Sequence, residues 1–288
     1  MVALSTDFLA AILVAGRARF KVVFIGFNHS SLAFTEMNDE NILSRIEASD
    51  NAQNADFFGR NAIVVFARAP VIGQTKSRLA RKIGDTKAAL IYAAMLRDCL
   101  QLAQNAAAKE AGVLICHTPP NAFDFEFHGN PGSLSNFWSG ARKAQSEGDL
   151  AARLLDCFSY LKECGAQKIL VIGSDAPDIP IEYLQKAFML LDVHELVFGP
   201  AEDGGFYLIG ARQISPLLFE NVLWSNRSTL TAILANAARH NCSTALLDSW
   251  RDVDEIEDLY ALISRLKLAP DAAPHTRGVL RSENMFKR

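Results

Sequence analysis

The sequence predicts an α/β fold in which a mostly parallel sheet is covered by helices on both faces. Three observations carry that prediction. From Asn61 onward, short runs of β-branched and aromatic residues alternate with longer segments of helical periodicity. The strand candidates are apolar on consecutive residues rather than on every second one, as strands buried on both faces are. Half of the 288 residues are apolar and 21% are charged, which supplies a large core and excludes a disordered chain.

The first buried run is Ile63–Phe66. Asp85 can cap a helix reaching about Ala108, with Leu90, Ala93, Ala94 and Ala103 at helical spacing. Val113–Cys116 reads as a second strand, and residues 118–147 as a long connection containing Pro and Gly. Asp149 caps a helix that carries Leu150, Leu154, Leu155, Phe158 and Leu161 and ends at Gly165. Ile169–Ile172 is a third strand, followed by a helix from about Ile181. Leu196–Phe198 and Phe206–Ile209 form two strands around a Gly204-Gly205 turn. A helix over Ser228–Arg239, a short strand at Thr244–Leu247 and a helix from near Asp254 complete the regular part.

Residues 1–60 show no connected strand–helix pattern and are read as an extension to a domain spanning 61–268. Residues 1–36 are expected to be dispensable, with Met37 as an alternative start. Residues 269–288 are polar and mildly basic and are expected to form a mobile tail.

Composition narrows the function classes. There are 29 Lys and Arg against 32 Asp and Glu, so no cationic excess exists to neutralise a nucleic-acid backbone. Five cysteines without a Cys-x-x-Cys pair argue against a disulfide scaffold or zinc ribbon and for a reducing compartment. The apolar stretch Phe8–Gly16 falls far short of the ~20 residues of a membrane span. No positive charge precedes it as in a signal peptide. A cytoplasmic protein without a membrane span is expected.

In such a sheet, ligands gather at the carboxyl ends of the strands. After the first strand, Gly73 allows close approach of backbone amides, and Lys76 and Arg78 place two cations on one loop, which suits a pyrophosphate. Neither a Walker A loop nor a G-x-G-x-x-G fingerprint is present. Both cations are expected to be exposed. The third strand ends in G-S-D-A-P-D, where Asp175 is either a ligand for Mg²⁺ or Mn²⁺ or a turn residue bonded to backbone amides. Asp178 is read as a helix cap. Glu202 and Asp203 precede Gly204-Gly205, a pattern that serves a ligand beside the backbone or a plain hairpin turn equally well. Asp254 with Glu257 has the spacing of a capping box, or else provides a second metal carboxylate, for which Asp252 competes.

Five segments in order, P-V-I-G-Q-T-K-S-R-L, I-G-S-D-A-P, G-P-A-E-D-G-G-F-Y-L-I-G, L-W-S and R-D-V-D-x-x-x-D-L, carry a resemblance over about Asn61–Leu266. They resemble the GT-A-like glycosyltransferase family of radical-SAM/selenodomain-associated transferases, some members of which are linked to arsenosugar biosynthesis. The resemblance implies a nucleotide-diphospho-sugar transferase-like fold: a mixed, mainly parallel sheet with the nucleotide over its first half. It implies nucleotide phosphates on Gly73, Lys76 and Arg78, and Mg²⁺ or Mn²⁺ on Asp175. Asp254 matches the second metal ligand of related sugar-nucleotide cytidylyltransferases, although Glu255-Ile256 replaces their Thr-Pro. Ala176 stands where the family usually has Cys, so no thiol chemistry is assigned there.

The implied activity is metal-dependent transfer of a glycosyl group from a nucleoside-diphosphate sugar to a small acceptor. Glu202 or Asp203 is the expected base on the acceptor hydroxyl. The K-S-R-L element also resembles phospholactate guanylyltransferases, so nucleotidyl transfer from an NTP to a phosphorylated small acid is the alternative. A nucleotide-binding module without turnover is the third reading.

Overall fold

A computed structural model describes residues 10–16, 19–28, 31–33, 61–108, 110–120, 122, 134 and 138–287. The chain divides into two compact units, Met1–Gln53 and Asn54–Arg288. In the first, β1 (Ala10–Gly16), β2 (Arg19–Asn28) and β3 (Ser31–Ala33) pair antiparallel, with Ala10 opposite Ile25 and Gly26 opposite Ala33. The polar stretch Asn38–Asp56 and the proposed start at Met37 lie outside the described residues.

The second unit runs β4 (Asn61–Arg68), α1 (Ser77–Ile83), α2 (Asp85–Ala107), β5 (Ala111–Thr118), β6 (Ala141–Ala144) and α3 (Leu150–Glu163). It continues with β7 (Lys168–Ile172), α4 (Ile181–Leu190), β8 (Leu196–Pro200), β9 (Phe206–Ala211) and α5 (Thr229–Arg239). Last come β10 (Thr244–Leu246), α6 (Ile256–Leu268) and α7 (Pro274–Ser282). Seven strands form one sheet in the order β10-β8-β9-β7-β4-β5-β6. All neighbours are parallel except β9, which runs antiparallel to both β7 and β8. The sheet is mixed and mainly parallel, as expected.

The continuous apolar run of β4 has a direct cause. Ile63 and Val65 pack with Leu96 and Cys99 of α2, while Ala62 and Val64 pack with Leu154 and Phe158 of α3. Opposite faces of one strand therefore enter two cores, and from Ala62 to Val65 no position is left for a polar side chain. A third cluster joins Leu79 of α1, Ile91 and Met95 of α2, Leu262 and Leu266 of α6, and Leu280 of α7. It anchors the helix that follows the cationic loop.

Three expectations need correction. The described part of that segment, residues 269–287, is not a loose tail, because α7 docks with Thr276, Arg277 and Leu280 buried. The Asp98 carboxylate accepts the amides of His275 at 3.0 Å and Thr276 at 2.7 Å. Arg277 donates to the carbonyls of Leu266 and Ala269. A nine-residue helix whose buried contacts are mostly polar leaves little apolar periodicity to read. β6 and α1 were also hidden in segments read as loop: A-R-K-A sits at the sheet edge with no residue fully buried, and α1 buries only Leu79 and Ala80. Finally, the capping box of α6 is formed by Glu255 and Asp258, one residue later than the Asp254 and Glu257 pair.

Candidate active site

β5 and β6 continue the sheet on one side of β4, and β7 on the other. The chains leaving β4 and β7 thus part above the sheet, at the kind of switch point where open sheets bind ligands. A cavity of about 400 Å³ opens there. It is lined by Gln74–Arg78 after β4, Tyr92 of α2, Gln145 after β6, Arg153 of α3, Ser174 and Asp175 after β7, and Asp254.

The loop after β4 turns at Gly73, whose φ of 78° suits a residue without Cβ. Gly73 does not itself line the cavity. The Thr75 hydroxyl donates to the Ala69 carbonyl at 3.1 Å and fastens the loop. Lys76, left-handed at φ 51°, begins α1. Its Nζ lies 2.7 Å from Asp175 Oδ1 and 2.7 Å from Asp254 Oδ1, with the side chain only 8% exposed. Burial works to lower the pKa of the Lys76 ammonium. The charges of Asp175 and Asp254 outweigh it and raise the pKa, so Lys76 stays protonated. The expectation of two exposed cations therefore fails for Lys76 and holds for Arg78, which is 62% exposed with Nη1 3.6 Å from Glu255.

Asp175 and Asp254 are brought together by backbone as well as by Lys76. The amide of Val253 donates to the Asp175 carbonyl at 2.9 Å. Asp258 Oδ2 accepts the amides of Asp254 and Glu255, and its Oδ1 accepts Arg251 Nε at 2.9 Å. Burial alone would raise the Asp258 pKa. The Glu255 amide and Arg251 instead bring it below the usual carboxylate range.

A second cavity of about 540 Å³ shares Arg78 and Asp254 with the first. Glu202 and Asp203 line it, with Ser225, Arg227, Arg251 and Asp252. Asp203 Oδ1 accepts the Gly205 amide at 2.8 Å, and Glu202 lies 3.9 Å from Arg251 Nη1. Burial pushes the Asp252 carboxyl up to about 7, with further upward pressure from Asp203, Asp254 and Asp175. Of the two competing carboxylates, Asp254 is the one that shares the Lys76 ammonium with Asp175. Asp178 is not a helix cap: it receives Arg265 Nε at 2.6 Å and Nη2 at 3.0 Å, and Trp250 Nε1 at 3.1 Å. That ion pair ties the end of β7 to α6.

Tyr92, Ser174, Gln145 and Arg153 line the cavity and were not singled out from sequence. The Tyr92 hydroxyl accepts the Arg68 amide at 2.9 Å and lies 2.9 Å from Ser174 Oγ, which links the ends of β4 and β7. Burial pushes its phenol up to about 12. Gln145 donates to the Cys116 carbonyl at 2.9 Å and accepts Arg153 Nη1 at 3.4 Å. Gln145 and Arg153 follow β6, a strand without an apolar signature, so no strand end marked them.

The donor set suits a hard divalent cation. Two carboxylate oxygens already bracket one cationic position. Mg²⁺ is commonly held by one or two carboxylates together with substrate phosphates. Among the described residues no three His, Cys, Asp or Glu side chains converge on a metal position. The two carboxylates alone fall short of a complete ligand set.

Residues 100–226 match the family described as an uncharacterized protein conserved in bacteria (DUF2064). A crystal structure from Desulfovibrio desulfuricans G20, provisionally assigned as a nucleotide-diphospho-sugar transferase, is 28% identical. It covers 79% of this chain and 96% of its own, with a TM-score of 0.70. The sheet and helices are thus those of a nucleotide-diphospho-sugar transferase-like fold. More distant matches include a CMP-2-keto-3-deoxy-manno-octonic acid synthetase complexed with CTP. It is 10% identical over 72% of this chain and 99% of its own, with a TM-score of 0.45. A cytidylyltransferase from Leptospira borgpetersenii is 14% identical over 79% of this chain and 96% of its own, with a TM-score of 0.47. At those scores neither bears on function. A search of curated proteins finds no match. Among the described residues no helix is long and apolar enough to cross a membrane.

Proposed function

We propose that the protein transfers a glycosyl group from a nucleoside-diphosphate sugar to a small acceptor, with Mg²⁺ or Mn²⁺ as cofactor. The observation that carries this reading is the pair of cavities meeting at Arg78 and Asp254. One has a lysine and carboxylates at a sheet switch point, and the other has acids suited to an acceptor hydroxyl. The likeness to the Desulfovibrio protein supports it. Five free cysteines, four of them buried, support a cytoplasmic setting.

The diphosphate lies in the first cavity, where Lys76 and Arg78 share its charge and steady the leaving group. Gln145 and Arg153, hydrogen-bonded to one another at 3.4 Å, line the same cavity and are the groups we assign to the nucleoside. A divalent ion on Asp175 and Asp254 would withdraw further charge from the leaving diphosphate. Glu202 or Asp203 accepts the proton of the acceptor hydroxyl in the second cavity. Asp203 is the better placed of the two, because one oxygen is fixed by the Gly205 amide and the other makes no hydrogen bond among the described residues.

Incubation with Mg²⁺ and a panel of nucleotide sugars tests the proposal. Slow hydrolysis to free sugar and nucleoside diphosphate is expected even without the acceptor, and Asp175→Asn should abolish it in a folded protein. Pyrophosphate release from an NTP and a phosphorylated small acid, without sugar hydrolysis, would establish nucleotidyl transfer instead. Nucleotide binding without either product would leave a binding module.

A further inference from the structure

In the chain by itself, the place between Asp175 and Asp254 is already taken. The Lys76 ammonium touches one oxygen of each carboxylate at 2.7 Å and is nearly sealed from solvent. A divalent ion bound by those oxygens would sit at metal–oxygen distances of about 2.0–2.1 Å for Mg²⁺, so ammonium and metal cannot occupy the gap together. The backbone at Lys76 is not free to withdraw, because Leu79 and Ala80, one turn later, are buried in the cluster with α2 and α6. The four-carbon side chain is the part that can move. It lines the same cavity as Arg78, where a diphosphate would offer it new partners.

Charge leads to the same conclusion. Two carboxylates and one ammonium leave a single negative charge. Adding a divalent ion alone makes the group net positive and strands the ammonium, whereas adding a diphosphate with the ion supplies partners for both cations.

We infer that Lys76 is an internal stand-in for the metal, so that the carboxylate pair accepts a divalent ion only when a diphosphate draws the ammonium away. Metal and nucleotide therefore bind cooperatively, and the apparent affinity for metal alone is reduced by the fraction of chains in which the pair is free. This rests on the reading of the first cavity as a diphosphate site. It has a consequence of unusual sign. Removing Lys76 weakens nucleotide binding, as loss of any phosphate-binding cation does, but tightens the binding of metal alone.

The test titrates Mn²⁺ calorimetrically into the full chain and into Lys76→Gln and Lys76→Asn, the second chosen because Asn tolerates a left-handed backbone. Mn²⁺ alone should bind each folded variant about tenfold or more tightly than the wild type, since a cation in contact with both ligands has gone. Adding Asp175→Asn to Lys76→Gln should remove the gain. In the wild type, UDP, GDP or CDP should tighten Mn²⁺ binding, and Mn²⁺ should tighten binding of that nucleotide by the same factor. In the variants the factor should fall. Mn²⁺ binding no tighter in the variants than in the wild type overturns the inference, as does a gain that survives Asp175→Asn. If neither variant folds, a wild type that binds Mn²⁺ equally with and without a bound nucleotide overturns it. Failure of every nucleotide to bind would count against the proposed function, while the Mn²⁺ comparison would still decide whether Lys76 blocks the pair.

Discussion

Lys76 caps α1 and Arg78 lies in its first turn, two positions on, and the two meet different environments. Arg78 is solvated, and its contact with Glu255 at 3.6 Å is a surface pair; Lys76 is enclosed by two carboxylates. Arg78→Ala should change the unfolding free energy by less than about 0.5 kcal/mol. Lys76→Ala should cost about 1–3 kcal/mol, below the full penalty of a broken buried pair because both partner carboxylates are partly exposed. Urea titration measures both, and equal values would contradict the burial of Lys76. Glycines make a similar contrast. At Gly204, φ is +94° and an added Cβ would lie 2.1 Å from the Arg227 carbonyl oxygen, so Gly204→Ala should cost about 3 kcal/mol or more. It would also part the Glu202–Asp203 turn from the loop at 225–228. At Gly173 a Cβ meets nothing within 4 Å, and Gly173→Ala should stay within about 1 kcal/mol.

At the scale of elements, α6 and α7 bear on the site although neither forms its floor. Asp258 holds the amides of Asp254 and Glu255 together with Arg251, whereas Glu257 is exposed. Asp258→Ala should cost about 1–2 kcal/mol and weaken nucleotide binding through Asp254, while Glu257→Ala should do neither. Denaturation and nucleotide titration of the two variants check this together. Helix α7 rests on the cluster that also holds α1, the helix opened by Lys76. Ending the chain at Ala269 should therefore lower both the melting temperature and nucleotide affinity. Unchanged values would return residues 270–288 to the status of a tail. Capping spacing was visible in the sequence around Asp254. Choosing between two overlapping boxes depended on Arg251 reaching Asp258, a contact that spacing alone does not specify.

For the whole molecule, the division into Met1–Gln53 and Asn54–Arg288 bears on the extension. A chain begun at Met37, retaining 252 of the 288 residues, is expected to fold and to bind nucleotide as the full chain does. Calorimetric melting and nucleotide titration of the two forms measure this, and aggregation of the shorter form would show that residues 1–36 support the fold. The architecture was legible in β4, β5, β7 and β8 because strands buried on both faces must be apolar at nearly every position. Loops at the carboxyl ends of such strands are where ligands bind, so Lys76, Arg78 and Asp175 could be singled out from order and spacing, whereas spacing left Asp252 and Asp254 as alternatives. Tertiary structure decided how they stand to one another. The Val253 amide joins the end of β7 to a segment about eighty residues later, and Lys76 closes the gap between the two acids. It also sent Asp178 to Arg265 and left Asp252 in the second cavity. Local sequence determines where a strand or helix can form, since propensity and periodicity act over a few neighbours. Which charge meets which is set by long-range packing, and at this site that packing decides which carboxylates Lys76 pairs with.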